Sequence, residues 1–201
     1  MTQLKFTKKA LREQQSKLSQ LQTYLPTLQL KKKLLQFEIY NCHQVIEELY
    51  KKYQNVGYEV ERVSALFSQD ETLIRRFAQL QHVEKTYENI AGVEIPRFLG
   101  VRFSEEDFSL FDTPIWVDKA LGSLKEMISL KQNMNVEEEK KRALLKELNE
   151  VSIRVNLFEK ILIPRTENNI KKIGIFLGDQ ILGAVAQAKV AKTKILEKKN
   201  R

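Results

Sequence analysis

Cys42 is followed at once by His43, and a thiol beside an imidazole is a pair that nucleophilic catalysis uses. Adjacent residues on a helix point about 100° apart. If this stretch is helical, a core thiol and a surface imidazole is the favoured reading. The only other histidine is His82, whereas a metal centre needs its ligands clustered. Carboxylates abound in "VEEEKKR" and "SEEDF", yet charged helix surface and a loop tip explain them better than a paired acid and base. A phosphate-cradling G-x-x-x-x-G-K-[ST] is absent, since no glycine is followed by lysine. Catalytic residues, bound metal and cofactor are all expected to be none.

The elements that would position these residues are helices. The chain has 201 residues, 42% of them hydrophobic and 30% charged, with seven glycines and four prolines. That composition supplies too few turns for a strand-rich fold and suits an all-α one. With Cys42 the single cysteine, no intrachain disulfide can form, and a reducing cytoplasm is the expected compartment. The polar start "MTQLKFTKKALREQQSK" and the lack of an eighteen-residue apolar run lead to the expectation of neither a secretory signal nor a membrane span.

A heptad repeat sets in at once. Leu4, Leu11, Leu18, Leu25, Ile39, Ile46, Tyr53, Val60 and Phe67 share one position, interrupted by Lys32; Leu21, Leu28, Leu35, Cys42, Leu49, Val56 and Val63 fill the other. Sustained this long, the pattern predicts a coiled-coil helix of roughly 95 Å, starting at Thr7 with a kink at Pro26 or at Thr27 just beyond it. Towards the other end Leu144, Leu148, Val151, Val155, Phe158 and Leu162 recur at steps of three and four, and Ile170, Ile173, Leu177, Ile181, Ala184, Ala188, Ala191 and Ile195 continue the stripe. Two steps of four separate Leu162 from Ile170, a stutter that unwinds a left-handed coil, and Pro164 falls inside it. Gly174, Gly178, Gly183 and the alanines after them give the last segment a small-residue surface.

Two heptad segments, about residues 4–67 and 134–197, are nearly equal in length and cannot bury their stripes alone. An antiparallel hairpin is the economical solution, with a parallel homodimer as the alternative. Between them, "ETLIRRFAQLQHVEKTYENIA" places Leu73, Ile74, Phe77, Leu80, Tyr87 and Ile90 at helical spacing and predicts a short helix. "GVEIPRFLGVRFSEEDFSLFDTP" then alternates around Pro96 and Gly100, predicting a β-hairpin. Thr113 as N-cap and Pro114 at the first helical position would open the return helix. The resulting organisation is a helix over 1–68, a head over 69–113 and a helix with a basic tail over 114–201. Phe98, Phe103, Phe108, Phe111 and Trp116 crowd the head, either as its small core or as a face that docks a partner.

Charge is unevenly spread. Residues 1–33 hold eight basic residues and one acidic, residues 189–201 six basic and one acidic, so ends of +7 and +5 flank a middle of −4 in a chain of +8. A hairpin would bring both basic ends to one tip, with Lys189, Lys192, Lys194, Lys198 and Lys199 as candidates for docking into an acidic collar. The tail lacks the interleaved aromatics that stack bases, so no nucleic-acid partner is expected.

Arg154, Val155, Asn156, Glu159, Ile163, Pro164, Ile170 and Ile173 stand as "RVNxxExxxIPxxxxxIxxI". This spacing resembles the signature of the D subunit of the V-type and archaeal-type rotary ATPases, and "ENIAGVEIP" (Glu88 to Pro96) is similar to that family's segment before its hairpin. The sequence departs from the family's usual alanine-leucine after the asparagine, having Leu157 and Phe158. The resemblance implies a non-catalytic central-stalk rotor: an antiparallel coiled coil whose paired termini enter a hexamer of A and B ATPase subunits. Its other end would join the F subunit and the membrane-rotor adaptor at the cytoplasmic face of a membrane. Arg154, Val155, Asn156, Glu159 and Pro164 would be its coupling signature. A coiled-coil tether or scaffold is the alternative from another class.

Overall fold

The computed structural model describes residues 4–67, 78–104 and 115–199. Its elements are α1 (Lys8–Phe67), β1 (Leu80–Ile90), β2 (Val93–Phe103), α2 (Ile115–Leu157), a π-helical turn (Phe158–Leu162) and α3 (Ile163–Lys199). The described residues divide into two compact units, one made of the chain up to Leu30 and from Val151 on, the other of Lys31–Glu150.

The helix begins at the earlier of the two expected starts. Thr7 is the N-cap of α1: its carbonyl accepts the first helical bond, from the Leu11 N–H at 3.0 Å, and its Oγ1 accepts from the Ala10 N–H at 3.1 Å, satisfying a donor that a helix start leaves orphaned. Pro26 lies inside α1 without ending it. Threonines on either side turn their hydroxyls onto the backbone, Thr23 to Ser19 O at 2.8 Å and Thr27 to Tyr24 O at 2.7 Å.

In the Lys31–Glu150 unit, Leu35, Cys42 and Leu49 are buried at spacings of seven, while Ile39, Ile46 and Tyr53 beside them are half-buried. Val117, Ala120, Leu121, Met134, Val136 and Leu144 are the buried residues of α2 in this unit. The two helices run antiparallel: Lys31 Nζ meets Glu147 Oε1 at 2.6 Å, and Tyr53 lines one shallow groove with Leu124, Met127 and Ile128. Each leucine withdrawn in this way contributes about 1.5–3 kcal/mol, which is why a stripe with no local reason to be straight selects a partner helix.

The strands correct the sequence reading. From Leu80 to Ile90 the chain is strand rather than helix, and residues 71–77 of the expected helix lie outside the described residues. β1 pairs antiparallel with β2 from Leu80↔Phe103 to Ile90↔Val93. The turn is Ala91–Gly92, not Pro96–Gly100. Both turn residues have positive φ, 54° and 81°, as a two-residue primed turn requires, and Asn89 Oδ1 accepts from the Gly92 N–H at 2.9 Å. Pairing across this turn outweighs the helical spacing of a few apolar residues. Pro96 is tolerated because each strand of a two-stranded sheet is an edge.

The hairpin is fastened to the helices of its own unit. Ile95 is buried, Lys85 Nζ reaches Glu139 Oε2 at 2.7 Å, and Lys125 Nζ lies 5.6 Å from the centre of the Phe103 ring. A side chain at Gly92 would come within 3.9 Å of Lys31 Nζ, so the turn sits over the Lys31–Glu147 pair.

Around the termini, Leu21, Val151, Val155 and Ile173 are buried and the Phe6 and Phe176 rings lie 5.0 Å apart. These segments are antiparallel as well. The antiparallel pairing expected of the two stripes forms within each unit. The return helix starts at Ile115, next to the expected opening at Thr113 and Pro114, and around the termini the end of α3 runs on past the start of α1.

Candidate functional site

Every described side chain from Asp179 to Lys198 is exposed. Among them are Ile181, Leu182, Val185, Val190, Ile195 and Leu196, with Leu182 at 69% and Ile195 at 66% exposure. Their distribution around the helix is what matters. Ile181 and Val190 are nine positions apart, which at about 100° per residue puts them on opposite sides. The six span about 220° of the helix, wider than the stripe that one partner helix covers. The sequence placed Ile181, Ala184, Ala188, Ala191 and Ile195 on a paired seam; the last of that seam covered within the chain is Leu177, which is half-buried.

An 18-residue window in the helical stretch Val117–Lys198 has mean hydropathy 1.2 and is 6% buried, so by length and composition this helix could cross a membrane. The stretch still holds no unbroken run of eighteen apolar residues. The run from Ile173 to Val190 carries Asp179 and Lys189.

Beyond the apolar run come the basic residues. Lys189, Lys192, Lys194 and Lys198 are exposed; Lys199 ends α3, and its side chain lies outside the described residues. The two basic ends share a unit but are staggered. Lys5 and Lys17 line a polar cleft of about 410 Å³ with Arg165, Thr166 and Asn169, well before the lysines of the tail.

The signature residues converge on the π turn. Val155 is buried in the seam, whereas Arg154, Asn156 and Glu159 are exposed and Pro164 is half-buried. In the turn the Ile163 N–H donates to Phe158 O, five residues back. Proline in a regular helix clashes with the carbonyl four residues before it and leaves that carbonyl without a donor. A wider turn directly ahead of Pro164 relieves that crowding. Thr166 occupies the middle of the stutter between Leu162 and Ile170: it is buried, and its Oγ1 donates to Leu162 O at 2.7 Å. Nothing in the sequence announces a π turn, although a proline ahead of a seam change marks where one would be useful.

Cys42 and His43 diverge as helical geometry requires. The thiol is buried, and burial, the largest influence on it, pushes its pKa above the ordinary value of 9.0; His43 Nδ1 stands 3.4 Å from Glu47 Oε1 at the surface. No group of three or more histidine, cysteine or acidic side chains that could hold a metal occurs among the described residues. In the head, Phe98 and Phe103 are half-buried. Phe108 and Phe111 lie outside the described residues, as does the side chain of Trp116, the second residue of α2.

Two long antiparallel helical segments with a small β-hairpin between them and a π turn before a proline define a narrow class of protein. The family of the ATP synthase D subunit matches residues 10–193, and the chain belongs to that family. Among its relatives, the V-type ATP synthase D subunit of Chlamydia abortus is 43% identical over 201 residues, covering 98% of this chain and 96% of its own. That of Chlamydia pneumoniae is 42% identical over 201 residues, 99% and 96% of the two chains, and that of Chlamydia trachomatis serovar L2 40% over 200 residues, 98% of each.

Proposed function

We propose that this chain is the central-stalk rotor of a V-type rotary ATPase, with the end of α3 seated inside a hexamer of alternating A and B ATPase subunits. The observation that carries this reading is the wide apolar surface of the segment after Leu177, spanning more than half of the helix and exposed in the chain by itself. A hexameric sleeve covers every face of a helix at once. It also leaves Asp179 and Lys189 at a protein surface, where a lipid interior would cost several kcal/mol for each. In this role the chain is non-catalytic and transmits torque between ATP hydrolysis or synthesis and ion translocation. The Lys31–Glu150 unit, with its hairpin, faces the F subunit and the membrane-rotor adaptor at the cytoplasmic side of the membrane.

The test is a pair of single variants, Ile181→Glu and Val190→Glu, assayed for binding of the purified chain to the A and B hexamer. Because the two residues are on opposite sides of the helix, each variant is expected to weaken binding about tenfold or more, roughly 1.4 kcal/mol. If one of them binds as wild type does, the segment docks by a single face and the sleeve is wrong.

A further inference from the structure

Val136 is 1% exposed although it is not a seam residue of α2. Counting back by heptads from Leu144 and Leu148, the seam positions fall to Glu137 and Lys141, both half-buried, and an apolar residue returns to the seam at Met134. For about three turns, therefore, α2 offers α1 a charged edge in place of a stripe. Something other than the seam must hold it there.

At about 100° per residue, Val136 lies within about 60° of Lys125 and Glu139 on a face of α2 turned away from Glu137 and Lys141. That face carries the hairpin. Lys125 meets the Phe103 ring at the base of the ribbon, Glu139 meets Lys85 midway along it, and the Ala91–Gly92 turn sits over Glu147, which is paired with Lys31 of α1. The lengths agree: α2 from Lys125 to Glu147 covers about 33 Å at about 1.5 Å per residue, and β2 from Phe103 back to Val93 covers about 33 Å at about 3.3 Å per residue. The ribbon thus lies along α2 and does not project from it. Ile95, also 1% exposed, falls between the Lys85–Phe98 pair and the turn, opposite the stretch from Glu139 to Glu147. We propose that the hairpin is a splint: it grips α2 lengthwise on its outer face, burying Val136 and Ile95, and reaches α1 at Lys31, so that the two helices stay together across the layers where Glu137 and Lys141 interrupt the seam.

Amide hydrogen exchange of the full chain, read by mass spectrometry on peptides spanning residues 137–147, measures that hold. Ile95→Ala, which leaves a cavity under the ribbon, should speed exchange there about tenfold. With the seam filled by Glu137→Leu and Lys141→Leu, the same Ile95→Ala should speed it less than about twofold, because the seam then holds α2 without the ribbon. Lys85→Gln removes the contact with Glu139 and keeps every buried apolar group; it should give the same contrast, about threefold in the native seam, and it decides the matter if Ile95→Ala does not fold. Equal acceleration in the two seams, or none in the native one, overturns the proposal.

Discussion

At the scale of single residues, the chemistry that the Cys42–His43 pair suggests is cancelled by the direction in which each points. Burial holds the Cys42 thiol above its ordinary value, with Glu137 and Glu38 raising it further and Lys140 opposing them. The folded thiol therefore keeps its proton at pH values where the unfolded one gives it up. The stability this contributes is complete below 9.0 and is lost as pH rises through the folded value. From about pH 8 to about pH 10, the urea midpoint of the wild type should fall further than that of Cys42→Ala, whose side chain does not titrate. Parallel pH profiles would contradict it. The burial of Cys42, Leu35 and Leu49 was legible in the sequence because period seven marks a seam whatever its partner is. Thr166 was not: a threonine at the middle of a stutter looks like a surface residue until the helix geometry around it is known.

At the scale of elements, Pro164 is tolerated because the turn before it is π-helical. The expected stutter is real, but the widening that accommodates it lies ahead of the proline, at Phe158–Leu162. If that irregularity makes the faces of the shaft inequivalent to the surrounding subunits, Pro164→Ala lets the turn close and should reduce the coupling of ATP hydrolysis to ion transport severalfold. The melting temperature should stay equal or rise, since alanine restores a donor and favours helix by about 3 kcal/mol over proline in a regular interior. Coupling equal to wild type removes this role. Helices were readable here because their signal is repeated many times over. The hairpin was only partly readable, since the spacing of Leu80, Tyr87 and Ile90 suits a helix and the deciding contacts are cross-strand ones that no local pattern reveals. What marks the turn is Asn89 with Gly92, an acceptor side chain followed by a residue free to take positive φ.

At the scale of the whole molecule, the antiparallel pairing was predictable from two stripes needing cover, and the opening of the return helix from Thr113 and Pro114; that the end of the second stripe finds no cover among the described residues was not. Starting at Ile115, that helix outlasts α1 and leaves an apolar segment ending in lysines. The sequence contained this segment in full view, as a stripe whose period matches that of a paired one. Neutralising Lys189, Lys192, Lys194, Lys198 and Lys199 to glutamine should weaken docking into the hexamer, by about tenfold at low salt and much less at high salt, because exposed charges are screened beyond about 10 Å at 0.1 M ionic strength. A loss independent of salt contradicts an electrostatic role, and unchanged docking assigns the lysines to solubility alone. The most direct test of the rotor reading is native mass spectrometry of the tagged chain purified gently from its own cells. The expected assembly holds one copy of this chain with three copies each of two large ATPase-sized chains and a small companion, whereas a lone dimer, or a complex without such chains, would contradict the rotor and favour a coiled-coil tether.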